Sequence, residues 1–170
     1  YMIIRGIESV AKSKDVFKSK KKTTLRGLFE MPEEIRKDHD LAFAVQLSLY
    51  QKYERGIEAI AKDNGIKTAY FLQPVPAYGK VLTDEEKKVA GDLAYGELYR
   101  RIVAGMMTLK DKGLPIFDLG DVVQGHAETL YADHIHFFRK YPTGESDGYR
   151  IMAASMAEKL AATWGLQKKP

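Results

Sequence analysis

The sequence predicts an α/β protein in which a parallel sheet is covered by helices on both faces. Helical stretches alternate with short, continuously apolar runs along the chain. Such runs are typical of parallel strands that are buried on both faces. A chain of 170 residues with 45% hydrophobic content can bury a core of ordinary single-domain size. We therefore expect residues 1–170 to form a single α/β domain, or the C-terminal part of one.

The first helix and strand are predicted between residues 32 and 72. Pro32 suits the first turn of a helix, two acidic residues follow it, and Gly65 is a usual stop, so one long helix is expected between them. The run TAYFL at 68–72 is β-branched and aromatic and is closed by Pro74. It predicts a buried strand.

A second helix and strand repeat this order. Thr83 and Glu86 form the capping-box pattern of a helix start, and the helix is expected to run towards Lys112. Gly113 then ends it, and the run PIFDL at 115–119 predicts the second strand.

A last helix is predicted from Ser146 or Asp147 to Gly165. Its apolar residues recur at a four-residue step, as on a helix face that packs against a sheet. We assign this stripe to the core: Met152, Met156, Leu160 and Trp164.

The N-terminal region shows less regular patterning. Residues 6–31 have no clear periodicity and are predicted to be a loop or an insertion, after a candidate third strand at 2–4. Two or three strands make a small sheet for three helices, so we expect further strands to precede Tyr1. Without them a strand edge and apolar helix faces would be exposed, which predicts that a missing N-terminal segment or a second copy of the chain covers them.

Composition and charge exclude several classes of protein. The chain has no cysteine, which excludes disulfides, thiolate nucleophiles and zinc sites built on cysteine. The net charge of +4 arises largely from a lysine run at 18–22, which lacks interleaved aromatic residues and is predicted to be a solvated loop, with no nucleic acid as partner. No segment approaches the about 20 apolar residues of a membrane span, so a soluble protein is expected. The compartment stays open, and an extracytoplasmic location is compatible with the sequence.

Candidate catalytic residues lie between the second strand and the last helix. The segment GHAETLYADHIHF at 125–137 holds three of the four histidines. Histidine is the usual general base near neutral pH, and it needs a carboxylate to orient its ring. Asp133 stands three residues before His136, a spacing at which a loop can bring the carboxylate to one ring nitrogen.

The segment LYADHIHF, followed by SDGYRIMAASMAEKLAATWGL, resembles the closing block of SGNH (GDSL-type) hydrolases. In that family a D-x-x-H loop precedes a polar residue, a glycine, an aromatic residue and a final amphipathic helix. The resemblance covers residues 56–166, and its specific part is 131–149. It implies a three-layer, doubly wound, flavodoxin-like fold and a serine-type ester hydrolase that needs no cofactor, with Asp133 as acid and His136 as base.

The family's remaining catalytic groups are not found in this sequence. The family uses a serine in a G-D-S context, with a glycine and an asparagine that bind the oxyanion. No serine of this chain has that context, and its only asparagine, Asn64, lies at the end of a predicted helix. We therefore expect the nucleophile upstream of Tyr1. The segment FFRKYPTGES at 137–146 is also longer than the family's usual segment at this place. The extra length is expected to change the shape of the acyl pocket.

Four residues are predicted to contact a substrate, which the resemblance implies is a small-molecule or carbohydrate ester. One ends the first strand and three lie in or beside the D-x-x-H loop: Gln73, Tyr131, His134 and Phe137. The aromatic residues could equally pack beneath the loop, and the segment after the strand could be only a rigid strand exit.

Two alternative functions remain open at this point. One is a non-catalytic binding or assembly module on the same scaffold. The other is a metal-dependent hydrolase in which His134 and His136 bind a metal together with Asp133 or Asp121. Only Asp118, Asp121 and His126 could add ligands to such a set, and His126 is more readily explained as structural or pocket-lining.

Overall fold

The structure is a computed structural model that describes residues 32–166. The predicted strand at 2–4, the loop or insertion at 6–31 and the lysine run at 18–22 lie outside the described residues. The chain divides into two compact units, Tyr1–Ile60 and Ala61–Pro170. Within residues 32–166, no helix combines the length and the apolarity that a membrane span requires.

The helix expected between Pro32 and Gly65 is in fact two helices, α1 (Glu33–Lys37) and α2 (His39–Asp63). The break falls at Asp38, whose backbone is extended. Its carboxylate oxygen Oδ1 accepts hydrogen bonds of 3.0 Å from the backbone N–H groups of residues 40 and 41. Asp38 therefore caps the start of α2, and a single uninterrupted helix was the wrong prediction.

The two predicted strands are confirmed, each two residues shorter than the apolar run that predicted it. Strands β1 (Tyr70–Leu72) and β2 (Ile116–Asp118) pair in parallel, with Tyr70 opposite Ile116 and Leu72 opposite Asp118. They form a two-stranded sheet in the described part of the chain. The larger, doubly wound sheet stays a prediction.

The connection between the strands also contains two helices where one was predicted. Helix α3 (Asp84–Val89) begins with the expected capping box, which is confirmed in both directions. Gly91 then adopts a positive φ of 73°, which ends the helical path, and α4 (Tyr95–Met107) starts a few residues later.

The last helix, α5 (Asp147–Trp164), is confirmed with both of its predicted ends. The Ser146 hydroxyl accepts a hydrogen bond from the backbone N–H of Tyr149, and Gly165 closes the helix in a left-handed conformation. The stripe assigned to the core, from Met152 to Trp164, is only half-buried. The stripe therefore lies at the margin of the core and is not fully buried within it.

A buried cluster lies next to the start of α5 and consists of Val123, Leu130, Tyr131 and Phe137. The rings of Tyr131 and Phe137 stack at 4.8 Å between centroids, and the Tyr149 ring meets Phe137 edge-on at 5.3 Å. Such aromatic pairs add to the free energy gained by burial alone. The cluster joins the predicted catalytic segment to the last helix.

Gly148 makes this packing possible, and its replacement by alanine is expected to lower the free energy of unfolding. A Cβ at position 148 would overlap the ring of Phe137. Forced overpacking of this kind costs about 1–3 kcal/mol. Denaturant unfolding of Gly148→Ala measures the loss. Gly56→Ala is the matched control, because that helical glycine has open space and should gain about 0.5–1 kcal/mol. Equal stability of the two variants would contradict this account of Gly148.

Candidate active site

The candidate site is a short loop, residues 131–137, whose two ends meet. Tyr131 and Phe137 form an isolated antiparallel bridge. Two backbone hydrogen bonds close the base: the N–H of Ala132 donates to the carbonyl of His136 at 2.8 Å, and the N–H of Phe138 donates to that of Leu130 at 2.6 Å. The stacked rings of residues 131 and 137 lie in the core beneath this base. The loop is therefore fixed from below and at both ends.

Within the loop, Asp133 and His136 form the predicted pair. Carboxylate oxygen Oδ2 of Asp133 lies 2.8 Å from His136 Nδ1, and because a carboxylate only accepts, the ring donates Nδ1–H. The other oxygen, Oδ1, accepts from the backbone N–H groups of Ile135 at 2.8 Å and His136 at 2.6 Å. Each side chain of the pair is 44% exposed. The loop thus holds the carboxylate on two amides and leaves the imidazole within reach of solvent.

The hydrogen bonds of Asp133 determine its charge state. Partial burial raises the pKa of its carboxyl group, but the bonds from the backbone and ring of His136 and from the backbone of Ile135 outweigh burial and hold the pKa below its ordinary value. Asp133 is therefore ionised at neutral pH. An ionised carboxylate on Nδ1 fixes the tautomer in which Nε2 carries the lone pair, which is the form that can accept a proton.

Comparison of the chain with family models, curated proteins and solved structures finds no match. The resemblance to SGNH hydrolases, the doubly wound fold and the ester-hydrolase activity therefore stay predictions.

Gln73, predicted to contact a substrate, follows β1 and reaches the same loop. Its side-chain Nε2 donates to the carbonyl of Ile135 at 3.4 Å, a long hydrogen bond. Its own carbonyl accepts from the Tyr99 hydroxyl at 2.8 Å. Gln73 therefore connects the end of β1 to the turn between Asp133 and His136, and its contact with a substrate stays a prediction.

Tyr131 and Phe137 lie in the arrangement that was the alternative to substrate contact. They are only 2% and 4% exposed, and both belong to the buried cluster. The pKa of the Tyr131 hydroxyl lies above its ordinary value, because burial disfavours the phenolate and the carboxylate of Glu86 repels it. These rings support the loop from beneath, and a direct contact with a substrate has no support from their placement.

The other candidate metal ligands do not form a metal-binding cluster in the described residues. His134 is exposed and packs beside Gly91, Asp121 is exposed, and His126 pairs with Glu128 through Nδ1 at 2.9 Å. In residues 32–166, no group of three or more His, Asp or Glu side chains is placed to hold a metal ion. His126 lines a cavity of about 250 Å³ with residues 81–83 and 124–127, in agreement with its pocket-lining interpretation.

One buried ion pair close to the loop was not predicted from the sequence. Lys80 Nζ lies 2.6 Å from Glu86 Oε2, and both side chains are fully buried. Burial raises the pKa of the Glu86 carboxyl group, but bonds from Lys80 and from three backbone amides outweigh it, so that the pKa is lowered overall. The capping-box pattern did single out Glu86, but only as the start of a helix.

Proposed function

We propose that the protein is a serine-type ester hydrolase of the SGNH kind, in which Asp133 and His136 are the acid and the base. The observation that carries the proposal is the 2.8 Å bond between Asp133 Oδ2 and His136 Nδ1, in a loop that holds the other carboxylate oxygen on two backbone amides. This is the arrangement that a hydroxyl nucleophile needs in its base and its orienting carboxylate. The position of the loop after β2 is where α/β proteins place their sites.

The proposed reaction is acyl transfer through a covalent intermediate. His136 Nε2 takes the proton of a serine hydroxyl as the serine oxygen bonds to the ester carbonyl carbon. The same proton is then given to the departing alkoxide as the ester C–O bond breaks. Water, deprotonated by His136, attacks the acyl-enzyme and releases the acid and the free serine. Asp133 stays ionised throughout and stabilises the imidazolium.

The nucleophilic serine and most of the oxyanion-binding groups are proposed to lie on a segment upstream of Tyr1, as expected from the sequence. The substrate class is a carboxylic ester, either a small molecule or an acetylated carbohydrate. The three-layer, doubly wound fold belongs to the same proposal, and the parallel pairing of β1 with β2 supports it.

Labelling of the full-length protein with a fluorophosphonate probe tests the proposal. The probe reacts with a serine whose hydroxyl is activated by a neighbouring base, and peptide mass mapping then identifies the modified residue. We expect labelling at one serine in a G-D-S context, lost after heat denaturation and unchanged by a metal chelator. A folded full-length protein that takes up no probe would overturn the proposal and favour the binding-module alternative.

A further inference from the structure

The carboxylate of Glu86 accepts more hydrogen bonds than a helix cap requires. Oxygen Oε2 accepts from Lys80 Nζ at 2.6 Å and from the Thr83 backbone N–H at 2.9 Å, which completes the capping box. The second oxygen, Oε1, accepts from the backbone N–H groups of Leu130 at 2.8 Å and Tyr131 at 3.1 Å. A capping box needs only the first of these oxygens.

Oε1 acts far from the helix that it caps. Leu130 and Tyr131 are 44 and 45 residues further along the chain and lie at the entrance of the 131–137 loop. Tyr131 is also one side of the bridge that closes this loop, and Asp133 follows it by two residues. A second bond, 2.9 Å between the hydroxyl oxygens of Thr83 and Thr129, joins the same two segments.

We propose that Glu86, held in place by Lys80, is a positioning residue that fixes the entrance of the loop and thereby the geometry of the Asp133–His136 pair. The inference rests on the proposed function for its catalytic consequence, but its structural part stands on the contacts of Glu86 alone.

Burial keeps this anchor, the Glu86 carboxylate with its bonds to Leu130 and Tyr131, fixed in position. The Lys80 and Glu86 side chains are both shielded from solvent, so protein groups and not water satisfy the carboxylate in this position. Hydrogen bonds to an ionised acceptor are shorter and stronger than neutral ones. Moving the carboxylate away from the loop would also leave the ammonium group of Lys80 buried without its charged partner, with the Val81 carbonyl at 3.4 Å as a weaker acceptor, which is unfavourable. The buried Glu86 carboxylate therefore holds the loop entrance in place.

The test compares Glu86→Gln with Glu97→Gln in the full-length protein. The Glu97 side chain is 71% exposed and pairs with Arg100 at 2.7 Å, so the control makes the same chemical change in a solvated ion pair. Two readouts are used: hydrogen exchange at the Leu130 and Tyr131 amides, and the ring ¹⁵N shifts of His136, which report its tautomer.

In the folded Glu86→Gln protein we expect these two amides to exchange at least about tenfold faster than in Glu97→Gln. The His136 ring shifts should move towards a mixture of tautomers. For ester hydrolysis, kcat should fall by about 10²-fold with little change in KM, because the base is misplaced while the substrate contacts remain.

A helix-capping role alone would lower stability yet leave the His136 ring shifts of the folded protein unchanged, and that outcome overturns the inference. Should Glu86→Gln fail to fold, the wild type still decides. Its Leu130 and Tyr131 amides should be as protected as that of Ala90, which bonds to the Glu86 carbonyl at 2.8 Å, and unprotected exchange would refute the anchor. If the wild type hydrolyses no ester, the proposed function fails, while amide exchange and ring shifts still test the anchor.

Discussion

Replacing His136 with alanine is expected to lower kcat for ester hydrolysis by about 10⁵-fold or more in the full-length protein. Without the imidazole, no group takes the serine proton, and a neutral hydroxyl is a weak nucleophile. KM should change little, since the ring acts on the nucleophile more than on the bound ester. The measurement is steady-state hydrolysis of a chromogenic short-chain ester, together with the rate of fluorophosphonate labelling.

His126→Ala is the matched control for this experiment. That histidine also pairs with a carboxylate through Nδ1, at 2.9 Å from Glu128, but lies outside the 131–137 loop. It should keep wild-type kcat and labelling. Equal losses in the two variants would mean that His136 has no special part in the reaction.

Replacing Asp133 with asparagine is expected to lower kcat by about 10⁴-fold while the loop keeps its shape. The amide oxygen of asparagine can still accept from the backbone N–H groups of Ile135 and His136, as Oδ1 of Asp133 does. Its NH₂ group would then face His136 Nδ1, which must become an acceptor. The proton moves to Nε2, and the base has no lone pair for the serine.

Ring ¹⁵N shifts of His136 show this tautomer directly, and Glu128→Gln provides the control at the other His–carboxylate pair.

The Asp133→Asn variant is also expected to change the acid sensitivity of the fold. Asp133 has its pKa lowered by folding, so the unfolded chain binds its proton more readily, and the stabilisation present above the ordinary value near 3.8 is lost as pH falls through the folded-state pKa. Stability should therefore fall less steeply below about pH 5 in Asp133→Asn than in the wild type. Unchanged acid sensitivity would contradict the assignment.

Local patterns in the sequence were sufficient to predict the elements that carry the site. The strands at 70–72 and 116–118 could be predicted from short apolar runs, and α5 could be predicted from its cap residue and its terminal glycine. The bond between Asp133 and His136 spans only three residues, and a spacing of that kind is visible in a single sequence.

Both errors came from a local break inside a segment that was predicted to be a single helix. Asp38 was counted as part of a long helix, although its side chain caps the next one. The stretch from Gly91 to Asp92 divides the second predicted helix in the same way, because the positive φ of Gly91 is compatible with a turn and not with a helix. Both predictions rested on start and stop signals at the outer ends of each segment, and such signals do not indicate a break between them.

The role of Glu86 could not be predicted for a different reason. Its partners Leu130 and Tyr131 offer only backbone N–H groups, which any residue except proline would supply at those positions. Lys80 is likewise one of many lysines, and nothing in the sequence marks it as buried. Contacts between a side chain and a distant main chain leave no trace in residue identity, and the tertiary structure alone reveals them.

The bridge between Tyr131 and Phe137 separates a closed loop from the segment that follows it. Asp133 and His136 both lie within this closed loop, whereas residues 139–145 follow it and are exposed. We expect insertions and deletions in that outer segment to leave the 2.8 Å bond between Asp133 and His136 intact. We therefore expect the outer segment to accept changes in length and sequence more readily than the closed loop does.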